Sequence, residues 1–261
     1  MLLQDKNAII YGGGGSLGGV IARTFAREGA RVFVAGRTRE PLDGVVKEVT
    51  AAGGYAEAAV LDALDERAVD EHARDVADRY GSLDVSFNLV SRGDVQGTPL
   101  IEMTTDDFTR PIVTGITANF ITARAAARHM TRQGSGVILA LDSGSAHTSP
   151  LMGGTCPADA ALDTFIRALA AEVGPSGVRA LGLWVAGVPE TLTAEKLGAV
   201  NPDMANEAAL QGVLQGLASL RMTRRSPGVA EVAETAAFLA SDRAGGLTAT
   251  FVNVTGGMFA S

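Results

Sequence analysis

The sequence predicts an α/β fold, a doubly wound parallel sheet with helices on both faces. Three observations predict it. Short apolar runs alternate with helical patterns from one end of the chain to the other. The first apolar run stops at four consecutive glycines, Gly12 to Gly15, which open directly into a helical pattern. The 261 residues, 46% of them apolar, suit one domain with a sizeable core and contain no linker or internal duplication.

In order, Ala8 to Tyr11 reads as a strand, and Leu17, Val20, Ile21, Thr24 and Phe25 share a helix face. Val32 to Ala35 is a second strand, so the opening is one βαβ unit with a parallel pairing. A helix over about Glu40 to Ala52 stops at Gly53-Gly54. Tyr55 to Leu61 is a strand ending at Asp62, and a charged helix covers about Asp65 to Tyr80. Leu83 to Asn88 is the fourth strand and Leu89 to Thr105 a loop. A long helix follows from about Asp106 to Arg132, with a kink expected at Pro111 or Gly115. Val137 to Leu141 is the fifth strand, Asp142 to Gly154 a polar loop, and Ala158 to Val173 a helix closed by Gly174-Pro175. Val178 to Val185 is the sixth strand. Pro189 to Arg225 reads as a mobile helical insertion, a small lid. Val229 to Ser241 is a helix and Thr248 to Val254 the last strand. Ligands of such sheets bind beyond the carboxyl ends of the strands, so Asp62, Asn88, Ser143 and the residues from Val185 onward should ring one cleft.

The glycines have a physical job. A strand that turns at once into a helix needs positive-φ positions, and missing side chains let a pyrophosphate approach the backbone. The helix N-terminus then offers free N–H groups and the positive end of its dipole. Gly13-x-Gly15-x-x-Gly18 fits the dinucleotide fingerprint, and Gly12-x-x-x-Ser16-x-Gly18 a looser form with one serine.

Composition narrows the classes. The net charge is −7, with no basic run or interleaved basic and aromatic stretch, which argues against nucleic acid. No apolar run reaches the length a membrane helix needs, and the first residues are too few and too charged for a signal peptide. One cysteine, Cys156, excludes an internal disulfide and fits a reducing cytoplasm. His72, His129 and His147 lie far apart, so no metal-ligand spacing appears.

By this point the chain resembles the short-chain dehydrogenase/reductase family. The resemblance rests on the glycine turn, Asp62, Leu83-Asp84-Val85 before Asn88, and Arg124 to Met130. Its most specific part is the tail: Ser226-Pro227, Glu231-Val232-Ala233, Phe238 to Asp242, Thr248 and Gly256-Gly257. It implies a Rossmann-type sheet, a nicotinamide cofactor, a small-molecule substrate and a homotetramer. Gly12, Gly15, Ser16, Leu17 and Gly18 then fall on the pyrophosphate turn, Asp62 and Ala63 beside the adenine, and Asn88 on the first asparagine of an Asn-Asn-Ala-Gly stretch, here continued by Leu89, Val90 and Ser91. Val188 and Thr191 fall among the family's cofactor contacts after the sixth strand.

Gly36-Arg37-Thr38 decides between cofactors. An acid at the end of the second strand holds the ribose 2′-OH of NAD. Here that position is Gly36, and Arg37, assisted by Arg39, can pair with a 2′-phosphate, so NADP(H) is expected.

The family's catalytic serine is matched by Ser143, preceded by Asp142. Its tyrosine and lysine fall on Thr155 and Asp159; a one-residue slip gives Cys156 and Ala160, and neither register restores the pair. Gly115 stands where the long helix should carry an asparagine. Thr155 has too high a pKa to act as a phenol does, and Asp159 has the wrong charge to stabilise a phenolate, although it could accept bonds from ribose hydroxyls. Asp142, Ser143 and His147 are the replacement candidates for proton supply, and Cys156 a weaker one. Trp184, Met204, Met222 and Met258 are candidates to line an apolar pocket under the lid. The expected activity is NADPH-dependent reduction of a carbonyl or activated double bond of a small apolar metabolite. The alternatives are a non-catalytic NADP(H)-binding sensor or partner subunit, and a non-redox dehydratase or cyclase.

Overall fold

A computed structural model describes every residue except Thr148, Asn201 and Ser261 and, of the rest, every side chain except those of His147, Ala199 and Val200. The strands are β1 (Asn7–Tyr11), β2 (Arg31–Gly36), β3 (Tyr55–Val60), β4 (Val85–Asn88), β5 (Gly136–Asp142), β6 (Val178–Trp184) and β7 (Phe251–Asn253). They form one sheet in the order β3-β2-β1-β4-β5-β6-β7, and every pairing is parallel. The helices are α1 (Ser16–Arg27), α2 (Arg39–Ala51), α3 (Glu66–Tyr80), α4 (Thr105–Gln133), α5 (Thr155–Val173), α6 (Ala194–Val200), α7 (Glu207–Leu220) and α8 (Val229–Ala240).

All five residues of β1 are buried, because helices cover both faces of the sheet and leave no wet side. Alternate side chains feed two cores. Ile10, Val34 and Leu183 pack with Phe25 of α1 and Val232 of α8. Ile9, Phe33 and Ala180 pack on the other face with Met130 of α4 and Leu162 of α5. Strand order reverses between β1 and β4, where the chain first runs outward to β3 and then crosses to the other side. That switch point opens a crevice at the carboxyl ends of the strands. Register aligns its rim, since Tyr11 lies opposite both Ala35 and Asn88.

The elements depart from the sequence reading in a few places. α4 runs unbroken for 29 residues through Pro111 and Gly115. Pro111 is the seventh residue of the helix and removes the bond its N–H would make to the Asp107 carbonyl, yet the helix continues through it. The side chain of its N-cap, Thr104, accepts from the Asp107 N–H at 3.1 Å, and Gly134 ends the helix in the left-handed conformation. α5 begins at Thr155, three residues before the expected Ala158. The last strand shrinks to Phe251–Asn253. The 189–225 stretch contains α6 and α7, and the loop after β5 includes a 3₁₀ turn over Ser145–His147. No helix among the described residues is long and apolar enough to cross a membrane.

Candidate active site

Two adjoining clefts share Leu89, Val90 and Ser91, which follow β4. The larger, of about 300 Å³, is lined by Gly12, Gly14, Gly15, Arg37, Thr38, Asp62 and Ala63. The smaller, of about 200 Å³, is lined by Leu17, Asn88, Arg92, Asn119, Asp142 and Ser143, among others. Together they run along the carboxyl ends of β3, β2, β1, β4 and β5.

Backbone geometry makes the first cleft. Gly12 has φ +76°, and a Cβ there would fall 2.5 Å from the Leu89 carbonyl oxygen. A Cβ on Gly18 would fall 2.3 Å from the Gly12 carbonyl oxygen, so the turn and the helix can approach only without side chains. The N-cap of α1 is Gly15, which offers no side-chain cap, and no acid occupies the first turn. The N-terminal amides of α1 therefore lack both an intrahelical and a side-chain acceptor. This is a cradle for an anion and fits the pyrophosphate of a dinucleotide.

Arg37 is exposed beside this cleft and makes no ion pair among the described residues, whereas Arg39 pairs with Asp43 of its own helix at 3.5 Å. Asp62 accepts from the Leu64 N–H at 3.0 Å and lines the cleft. Asn88 is buried; its amide donates to Thr122 Oγ1 at 3.0 Å and its carbonyl oxygen accepts from the Val90 N–H at 3.0 Å. It therefore ties β4 to α4 and shapes the loop that both clefts share. Val188 is buried and its carbonyl accepts from Thr191 Oγ1 at 2.8 Å; neither residue lines the two clefts.

The second cleft holds a buried polar network. Asp159 is 0% exposed. Its Oδ1 accepts from Arg92 Nη1 at 2.8 Å. Its Oδ2 accepts from Ser143 Oγ at 2.5 Å, Ser143 N–H at 3.2 Å, Ser145 N–H at 3.1 Å and Ser145 Oγ at 2.7 Å. Asp159 thus ties the loop after β5 to α5, and both its oxygens are already engaged. Thr155, 1% exposed, donates to Asp94 Oδ1 at 2.8 Å and accepts from Gln96 Nε2 at 3.4 Å. Arg92 also donates to Asp94, through Nη2 at 3.0 Å and Nε at 3.3 Å. Burial lowers its pKa, but Asp159 and Asp94 outweigh that and hold it above the ordinary arginine value.

Asp142 is 2% exposed, and its Oδ1 accepts from the Gly144 N–H at 2.8 Å. Its other oxygen, Oδ2, is buried and has no hydrogen-bond partner among the described residues. Burial, and then the negative charges of Asp159 and Asp163, push its pKa up to about 9 against the pull of Gly144 and Arg92. The carboxyl is consequently neutral at pH 7. Tyr11, in the first cleft, is also held neutral, its pKa raised by burial and then by Asp70.

Residues 13–259 match the family described as enoyl-(acyl carrier protein) reductase. The chain belongs to the short-chain dehydrogenase/reductase family. The short-chain reductase protein NovJ of Streptomyces niveus is 28% identical over 257 residues, 97% of this chain and 94% of its own. Momilactone A synthase of Oryza sativa subsp. japonica is 32% identical over 265 residues, 98% of this chain and 90% of its own. In fold, the chain is similar to NAD⁺-bound xylitol dehydrogenase, with TM-score 0.87 and 22% identity over 98% of this chain and 100% of that one.

Ser143 and Asp142 line the second cleft, whereas Thr155 and Asp159 are buried, line neither cleft and connect to it through Asp94, Arg92 and Ser143. Of the slipped register, Ala160 is exposed, and Cys156 Sγ is turned to the Ser149 carbonyl at 3.7 Å. The side chain of His147 lies outside the described residues. Trp184 is a core residue, its indole stacked near Phe251 and donating to Asp163 at 3.3 Å, and Met222 is 72% exposed. Sequence reasoning missed Arg92, Asp94, Gln96 and Ser145, because loop residues carry no periodic signal. It also missed Asn119, one helical turn after Gly115, whose amide donates to the Gly115 carbonyl at 3.0 Å.

Proposed function

We propose that this protein is an NADP(H)-dependent oxidoreductase that reduces a carbonyl or activated double bond of a small apolar metabolite, with a rebuilt proton centre. The observation that carries this reading is the pair of adjoining clefts, one with Arg37 and the glycine cradle and one with Ser143, that share Leu89, Val90 and Ser91. Bound NADPH would supply the hydride. The amides at the start of α1 hold its pyrophosphate, Asp62 meets the adenine, and Arg37 pairs with the 2′-phosphate.

Thr155 and Asp159 stand where the family places its tyrosine and lysine, and neither does that work. The Thr155 hydroxyl is committed to Asp94, and the Asp159 oxygens to Arg92 and two serines. Ser143 gives its one hydroxyl proton to Asp159 in this structure, so it orients a substrate oxygen only by releasing that bond when substrate enters. Protonated Asp142 lines the same end of the cleft and retains a transferable proton at neutral pH. General acid catalysis is typically worth 10²–10⁴-fold, which sets the scale of Asp142's contribution. The lone cysteine fits a reducing cytoplasm, and we place the protein there. We also propose the 189–225 stretch, with α6 and α7, as a lid that closes when substrate binds; none of its described residues lines either cleft in this structure.

The test is a fluorescence titration with NADPH and NADH, followed by NADPH consumption against a panel of ketones, aldehydes and enones. Tight NADPH binding with turnover of one class supports the reading; failure to bind NADPH sinks it. The locked hydroxyl of Thr155 and the filled carboxylate of Asp159 favour one second reading, an NADP(H)-binding sensor or partner subunit. Firm NADPH binding with no turnover would select it.

A further inference from the structure

Asp159 puts a negative charge on α5 where the family resemblance leads one to expect a positive one. The cation found at that place comes from elsewhere. Arg92 reaches in from the loop after β4, with a side chain only 14% exposed, and pairs with Asp159 at 2.8 Å. Its path crosses α4 at Gly115. A Cβ on that glycine would fall 2.6 Å from Arg92 Cδ and 3.2 Å from Cγ. No side chain at position 115 would leave the arginine where it is. Glycine inside a helix is destabilising relative to alanine, and here its φ is not in the left-handed region, so backbone conformation gives no reason for it. The clearance for Arg92 does.

The guanidinium carries five N–H donors. One goes to Asp159 and two to Asp94. Two therefore remain, on a group that lines the second cleft together with Leu17, Asn88, Asn119 and Ser143. That cleft adjoins the one with the glycine cradle, and the two share Leu89, Val90 and Ser91 as lining.

We propose that Arg92 is the cofactor-positioning cation of this site: its uncommitted donors meet the ribose hydroxyls on the nicotinamide side of the bound dinucleotide, and Gly115 is the opening that admits it. The proposal rests on the nicotinamide reading above. In this arrangement the charge that α5 would carry as a lysine has moved to the loop. Asp159 serves to hold it there, while Asp94 fixes the plane of its fork.

Two variants test the proposal. Gly115→Ala favours the helix and displaces Arg92 by sterics alone. The double variant R92Q/D159N removes both charges, so no unpaired carboxylate is left buried. Each is titrated with NADPH and with adenosine 2′,5′-bisphosphate, which reaches the Arg37 end but lacks the nicotinamide ribose. The expected result is at least a tenfold loss of NADPH affinity in both variants, with bisphosphate affinity unchanged. NADPH binding at wild-type strength in either variant overturns the proposal. Equal loss of both ligands overturns it too, because the effect would then be a general loss of structure. If the wild type binds neither ligand, the nicotinamide reading itself fails, and that outcome is distinct from the others.

Discussion

Asp142 is the sharpest test of how this site is built, because its burial makes stability depend on pH. The carboxyl is 2% exposed, with one oxygen bonded to the Gly144 N–H and the other unpartnered among the described residues. Asp159 and Asp163 face it with like charge, and Arg92 opposes them. Its pKa rises from the ordinary 3.8 to about 9. The sign follows. Between those values the folded protein holds a proton that the unfolded chain has released, so stability falls as pH rises. The slope from this one group is about 1.36 kcal/mol per pH unit. Asp142→Asn keeps the oxygen that accepts from Gly144 and removes the titration. Between pH 6 and 8 the variant should therefore gain on the wild type by about 2.7 kcal/mol, two pH units at that slope. Urea denaturation at fixed protein concentration across pH 5 to 9 measures it. Parallel stability curves for the two proteins would refute the reasoning and return Asp142 to the role of an ionised loop cap.

Three further outcomes are expected. NADPH should bind more tightly than NADH, and Arg37→Glu should reverse or abolish the preference; equal wild-type affinities in a titration would count against a 2′-phosphate site. Thr155→Ala should lower turnover less than about tenfold and cost about 1 kcal/mol of stability through its bond to Asp94, while Ser143→Ala should cost more in turnover; the opposite ranking in steady-state assays would show the site assignment to be wrong. The protein should be a homotetramer, with a dimer as the fallback, assembled on the α4–α5 face where Phe120, Arg124, Phe165 and Leu169 line a groove and Phe120 is 45% exposed; a monomer by light scattering at micromolar concentration would refute this.

The sequence by itself determined the alternating order of strands and helices, because apolar periodicity and glycine stops are local signals. The glycine turn was legible for the same reason: Gly18 is required by the Gly12 carbonyl within the motif itself, whereas the Leu89 carbonyl that excludes a Cβ at Gly12 is brought there only by the fold. Ser143, Thr155 and Asp159 could be placed near one another only through the family resemblance, because the expected helix began at Ala158, after Thr155.

What they do there was decided by tertiary structure. Asp159 in isolation reads as a carboxylate free to meet a ribose. In the fold it is saturated by Arg92, 67 residues earlier in the chain, and by two serines of the loop after β5. Gly115 reads as a lost asparagine or a helix kink, and in the fold it is the space that Arg92 occupies. Asp142 reads as an ordinary acid or a loop cap. Its neutral state comes from low-dielectric surroundings and from Asp159 and Asp163, which α5 brings to it. Charge pairing, burial and close packing are properties of residues distant in sequence. They exist only after β5, α4, α5 and the loop following β4 have closed on one another.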